Sequence, residues 1–389
     1  MKTSSLKPFA LAAVLAAAAF YAPSTAASAA HQQYAVSQLG PGPLVIANNA
    51  AVNGLTVGGL SGITHAGGDK FYAITDNQGS TPARFYTLNF HVSSAGVSLT
   101  QQPLVSDVTT LAGYNGQNFD GEGISLTNHN TLLISSETEP AIREFDLSGN
   151  QVQTLPTPSQ FPFSGGGGAH GIQFNLAFES LTQSPDGGVV WTANERSLGQ
   201  DATTTSAIVD NQVRLVRFTK NGAGYVNSAQ YVYDIAPYNV PAGNFFATKG
   251  LVDMQVLPDG TLITMERSYR ADTDKYEIKV YQVDFDNATD VSGLDSLVGQ
   301  TYTGVHKKLL YDFADANFAP DNIEGIAFGP ILENGDQSLV VISDNNFNGT
   351  QHTQIAALRL QAVPEPSALL ALTLGLAMLA IAVLRRRSA

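Results

Sequence analysis

Between residues 55 and 360 the chain alternates short apolar runs with turn residues, and one three-part unit recurs five times. Each unit opens on a motif of apolar, acidic, small and apolar residues. The five copies are Leu60-Ser61-Gly62-Ile63, Gly121-Glu122-Gly123-Ile124, Phe178-Glu179-Ser180-Leu181, Val252-Asp253-Met254-Gln255-Val256 and Ile323-Glu324-Gly325-Ile326. A strand ending in an acid follows, over 71–76, 131–137, 189–195, 261–266 and 338–344. The intervening turns are Gly67-Gly68-Asp69, Asn128-His129-Asn130, Pro185-Asp186-Gly187-Gly188, Pro258-Asp259-Gly260 and Glu333-Asn334-Gly335-Asp336. Such residues close hairpins. A third, alternating strand is predicted over 84–90, 142–147, 213–218, 278–285 and 354–360.

Fourth strands are predicted at 97–105, 152–155, 225–235 and 307–313. The last unit lacks one, and the segment 34–46 supplies it from the other end of the chain. Closing a ring in this way removes free sheet edges. Four-stranded units repeated about an axis make a β-propeller, so the fold class is all-β. A sandwich or a β-helix is the competing architecture. Insertions at 197–211, 236–248 and 287–306 leave room for a sixth blade, and the glycine run 165–168 reads as a flexible surface loop.

The repeats place carboxylates in pairs. The midpoint between Glu122 and Glu137 falls in their turn, and so do those of Glu179 with Glu195, Asp253 with Glu266, and Glu324 with Asp344. Ser61 and Asp76 obey the same arithmetic with the first acid replaced. Antiparallel geometry sets each pair side by side at the open end of its hairpin. In a propeller these ends share one face. Asp76, Glu122, Glu137, Glu179, Glu195, Asp253, Glu266, Glu324 and Asp344 are therefore expected to ring one mouth of the central channel.

Like charges roughly 4 Å apart repel by about 4 kcal/mol at an effective dielectric near 20. One pair can be relieved by protonation, but nine acids around one opening call for cations. Calcium suits them, since it takes six to eight oxygens in flexible geometry. Cysteine is absent, and the seven histidines show no ligand-pair spacing, which argues against zinc. The rival reading makes the acids structural, as caps or as partners of Arg143, Arg196, Lys249 and Arg267. No G-x-S-x-G element or P-loop occurs, and Ser61 reads as a replaced acid rather than a nucleophile.

The two ends carry their own signals. Lys2, Lys7, an apolar stretch over 9–21 and Ala27-Ser28-Ala29 make residues 1–30 a signal peptide with its helix. At the other end Val363-Pro364-Glu365-Pro366 precedes an apolar helix over 368–384 and Arg385-Arg386-Arg387. That order resembles the PEP-CTERM sorting signal of Gram-negative bacteria, and the resemblance implies cleavage by an exosortase and display or release outside the cell. A permanent single-span anchor is the alternative. The expected domains are thus 1–30, a propeller over 31–361 and a sorting segment over 362–389. The whole chain carries 20 basic and 33 acidic residues. Loss of both ends removes five basic residues and brings the net charge near −18. Nucleic acid and anionic lipid are disfavoured as partners, and the membrane is met only through the terminal segment before processing.

Several stretches resemble the phytase-like family, also described as esterase-like activity of phytase. They are Gly59-Leu60-Ser61-Gly62-Ile63, Pro82-Ala83-Arg84-Phe85-Tyr86, Asp120-Gly121-Glu122-Gly123-Ile124, Phe178-Glu179-Ser180-Leu181 and Ala193-Asn194-Glu195. Met265-Glu266-Arg267-Ser268, Ala288-Thr289-Asp290-Val291-Ser292-Gly293, Asp321-Asn322-Ile323-Glu324-Gly325 and Ser343-Asp344-Asn345-Asn346-Phe347 continue it. The resemblance implies a propeller with phosphoester or ester hydrolase activity. Two departures stand out: Ser180 where glycine is usual, and Asp253 in place of glutamate.

Two functions follow as expectations. In the first, calcium bridges the ring acids to a phosphoester or other ester, with Glu122, Glu179 and Glu324 as candidate catalytic carboxylates and Arg84, Lys249 and Arg267 as substrate-binding cations. In the second, the protein is a non-catalytic, calcium-stabilised module that binds an extracellular polysaccharide or protein partner.

Overall fold

In the computed structural model, which describes residues 31–76, 79–99, 103–163, 170–173, 176–203, 211–238 and 246–364, five four-stranded antiparallel sheets form a ring. The first blade is Leu60–His65, Lys70–Thr75, Pro82–Asn89 and Val105–Asn115. The second is Gly121–Leu126, Thr131–Ser136, Ala141–Asp146 and Gln151–Thr154, and the third is Phe178–Gln183, Val189–Asn194, Gln212–Asn221 and Gly224–Asp234. The fourth is Ala247–Val256, Leu262–Arg270, Lys275–Asp284 and His306–Asp312. The fifth joins Asn322–Ile331, Gln337–Asp344 and Thr353–Val363 to Gln33–Ile46 from the start of the propeller. The architecture is a five-bladed β-propeller closed by that strand, and no sixth blade occurs among the described residues.

Closure is a matter of packing as well as hydrogen bonding. Five large apolar clusters each fill one seam between adjacent blades. Ile74 and Phe85 meet Ile124, Ile134 and Phe145 between the first two blades. Phe71, Tyr86 and Leu88 meet Val340, Ile342 and Ile355 where the fifth blade returns to the first. Each buried side chain of this size is worth about 1.5–3 kcal/mol, so every blade depends on both neighbours. Trp191 is packing, buried and stacked on Phe285 with ring centroids 4.8 Å apart.

One strand differs from expectation. The outer strand of the first blade is Val105–Asn115, not 97–105. A small hairpin, His91–Ser93 with Gly96–Ser98, comes first. It rests on Gly40 of the closing strand, where no room for a Cβ exists. The expected signal segment, the glycine run and the sorting segment beyond residue 364 lie outside the described residues. The last strand itself extends to Val363. Among the described residues no helix is long and apolar enough to cross a membrane.

Candidate metal centre

The innermost strand of every blade carries a bulge at its acidic motif. Register shifts fall between Leu60 and Gly62, Gly121 and Ile124, Phe178 and Ser180, Leu251 and Asp253, and Ile323 and Gly325. A bulge leaves one residue unpaired and re-aims it. The bulged residues are Ser61, Glu122, Glu179, Val252 and Glu324. The residue after each bulge packs against the next blade, which is why glycine recurs there. A Cβ on Gly123 would lie 2.7 Å from Glu179 O, and one on Gly325 2.7 Å from Ser61 O.

Seven of the nine predicted acids converge. Asp76, Glu122, Glu137, Glu179, Glu195, Glu324 and Asp344 line one cavity of about 940 Å³. Carboxylate oxygens of Asp76, Asp120 and Glu122 lie within 4.8 Å of one another, and so do those of Glu137, Glu179 and Glu195. Asp120 was missed, although it stands two residues before Glu122 and a strand returns to the same face every second residue.

Asp253 and Glu266 are corrections. Both belong one register position away from the ring, and a one-residue slip sends a side chain to the other face. Asp253 takes the place of Gly123 and Gly325. Its side chain accepts from the backbone N–H groups of Leu181, Met254 and Ile326, at 3.4, 2.8 and 2.7 Å. It thus ties three blades together across the axis. Glu266 turns toward the seam with the third blade, accepting from Tyr233 Oη at 2.6 Å and pairing with Lys307 Nζ of its own blade at 2.5 Å. The true ring position of the fourth blade is Arg267, which faces Gly250 as Asp344 faces Asn322.

Of the three predicted cations only Arg267 stands at the mouth, donating through Nη2 to Glu324 Oε1 at 2.6 Å. Arg84 is buried, donating to Tyr86 Oη, Pro82 O and Thr56 O. It lines a neighbouring cavity of about 620 Å³ that shares Asp76 with the mouth. Lys249 is buried and lines neither, although its carbonyl accepts from Arg196 Nε at 3.2 Å. Arg196 lines the mouth in its stead. Arg143 pairs with Glu139, outside the ring.

The crowding has electrostatic consequences. Burial, then Glu195, pushes the Glu137 carboxyl up to about 8. Burial and neighbouring carboxylates also raise Asp76, Glu122, Glu179 and Asp344 well above the ordinary range. Burial opposes the charge on Arg267, but Glu324, Glu195 and Glu179 outweigh it and hold the guanidinium above its usual value. The donor set is all oxygen and anionic, which fits a hard divalent cation and not a thiophilic one. Two further buried ring oxygens, Asn322 Oδ1 and Ser61 Oγ, have no hydrogen-bond partner, and buried polar atoms are ordinarily paired.

A family model for the phytase-like proteins, described as esterase-like activity of phytase, matches residues 55–347. The chain belongs to the phytase-like family. A search of curated proteins returns no match. Among solved structures, this phytase-like propeller is similar to a streptogramin B lyase at 10% identity, with 84% of this chain and 98% of that one covered and a TM-score of 0.33. It is similar to an endo-arabinase from Bacteroides thetaiotaomicron at 12% identity, covering 76% and 91%, with a TM-score of 0.39. An ancestral GH74 enzyme aligns at 10% identity, covering 82% and 40%, with a TM-score of 0.37.

Proposed function

We propose that the mouth of this phytase-like propeller is the active site of a secreted, calcium-dependent hydrolase of phosphoesters or other esters. The observation that carries the reading is the pair of buried carboxylate triads opening onto a cavity that also holds Arg267 and Arg196. Asp76, Asp120 and Glu122 would hold one cation and Glu137, Glu179 and Glu195 another. A bound cation supplies Lewis acidity and lowers the pKa of water. The remaining work falls to the chain. Arg196, half-buried at the cavity wall, draws in an anionic ester. Before a cation binds, burial and Glu195 keep the Glu137 carboxyl protonated up to about pH 8, and cation binding displaces that proton. Glu324, fixed by Arg267 and by Asn322 Nδ2 at 2.9 Å, is aimed rather than free. Segments 1–30 and 362–389 fit export and exosortase-type processing.

The test is turnover of phosphate monoesters and simple carboxylic esters by the purified protein, with calcium and with chelator. Activity that vanishes in chelator, and falls at least about a hundredfold in Glu122→Gln while that variant stays folded in calcium, supports the reading. Absence of metal-dependent turnover on every ester overturns it. A milder perturbation leaves all carboxylates in place. A Cβ at Gly250 would strike the Glu195 carboxylate. Gly250→Ala is therefore expected to weaken calcium binding about tenfold, or ~1.4 kcal/mol, by calorimetry.

One feature favours the second reading, a module that binds polysaccharide. Phe246, 63% exposed, continues through Tyr269 to Tyr276 along the rim, with centroids 6.3 and 4.8 Å apart. Such a shelf offers apolar faces beside hydrogen-bonding groups. Binding of soluble polysaccharide that survives Glu122→Gln and is lost in Phe246→Ala would favour it.

A further inference from the structure

The five seams of the mouth obey one rule: the ring residue at the far end of each second strand faces the bulged residue of the next blade. Asp76 meets Glu122 and Glu137 meets Glu179. Arg267 meets Glu324 at 2.6 Å. By the same register Glu195 faces Val252 and Asp344 faces Ser61. Two seams therefore oppose acid to acid, one opposes a guanidinium to an acid, and two oppose an acid to a neutral side chain. Only the first two leave a carboxylate pair with no positive charge between its members.

We infer that Arg267 is a built-in cation occupying the place that a metal ion takes at the two acidic seams, so that the mouth binds two divalent cations and no third. The inference rests on the proposed cation site and extends it to a stoichiometry. Three features support it. Arg267 sits at the ring position filled by acids in the other four blades. Its Nη2 reaches Glu195 Oε1 at 3.5 Å as well as Glu324, so it spans two seams. The side chain is 11% exposed, which makes its charge a fixture of the mouth rather than a surface ion pair. Asn322 completes the pattern. It holds the position that Asp120 holds in the second blade, and an amide stands where the adjacent cation is already supplied. Its buried Oδ1 has no hydrogen-bond partner and lies at the cavity wall, an acceptor left for a donor group of a bound ligand or a water rather than for a third metal ion. The rule also gives the mouth a polarity. Metal ions gather on the side of the first three blades and fixed positive charge on the other. An anionic group lying across the opening is gripped from both.

Equilibrium dialysis against calcium chloride, with the metal counted by atomic absorption, tests this directly. The unaltered protein is expected to hold two calcium ions. Arg267→Glu turns the third seam acidic and is expected to hold three, folding only with calcium present. Glu137→Arg copies the guanidinium seam into the second and third blades. It is expected to hold one ion and to melt higher in chelator than the unaltered protein does. A count of three or more in the unaltered protein, or of two in folded Arg267→Glu, overturns the assignment. Where Arg267→Glu does not fold, Glu137→Arg decides: no gain in chelator overturns it. No calcium at any seam would instead defeat the proposed metal centre itself, a different failure.

Discussion

Removing divalent cations at pH 8 is expected to lower the melting temperature by about 10–15 °C, and at pH 5 by a small fraction of that. The sign follows from the buried carboxyls. Each raised group holds its proton in the metal-free fold more tightly than in the unfolded chain. Its contribution to stability is present below the unfolded value near 4.5 and is lost as pH climbs through the folded value, about 8 for Glu137. Asp76, Glu122, Glu179 and Asp344 are raised by the same causes, burial first and then their neighbours' charge. The metal-free protein thus weakens steadily from pH 5 to pH 8. Cations reverse the trend, because they replace the protons that the carboxylates share. At pH 5 they compete with those protons, whereas at pH 8 they meet ionised groups. Two sites at a thousand times their dissociation constants would each add about 4 kcal/mol. Thermal melts in calcium and in chelator across this pH range check it. A calcium effect that is flat with pH would mean that the triads are not where the ion binds.

The fold was legible because turns and alternation repeat. Asn-, Asp- and Gly-rich turns bracket every first hairpin, and the segment over 34–46 had no partner until a ring was imagined. The outer strand of the first blade was misplaced because Gly96 turns a small hairpin that resembles the start of a strand. The ring itself was legible to within one residue. Midpoint arithmetic cannot tell Asp253 with Glu266 from Val252 with Arg267, since both pairs centre on the same point of the turn. Only the bulge separates them, and a bulge changes register without changing composition. A signal was present. Every other motif acid is followed by glycine or serine, whereas Asp253 is followed by Met254. Arg84 and Lys249 illustrate the opposite limit, because nothing in their spacing says that both are buried away from the mouth.

Asp201→Ala is expected to cost about 3–5 kcal/mol and to lower the melting temperature by about 5–10 °C, the largest loss from any single site outside the mouth. Asp201 and Arg214 are both fully buried and joined through two parallel contacts, Nε to Oδ2 at 2.7 Å and Nη2 to Oδ1 at 2.9 Å. The pair does more than neutralise itself. Arg214 also donates to Gln230 Oε1 and to the carbonyls of Leu294 and Asp295, while Asp201 Oδ1 accepts from Leu297 N–H at 2.8 Å. It thereby pins the insertion after the third strand of the fourth blade onto the third blade, where Val291 and Leu297 pack on Val232. Removing the carboxylate strands a buried guanidinium and releases that clamp together. Replacing both partners, as in Asp201→Leu with Arg214→Met, removes the stranded charge and is expected to recover more than half of the loss. The cavity acids are untouched by either change, so calcium stoichiometry should hold while stability falls. An Asp201→Ala protein that melts within a degree or two of the unaltered one would show that the insertion is held by its apolar contacts alone.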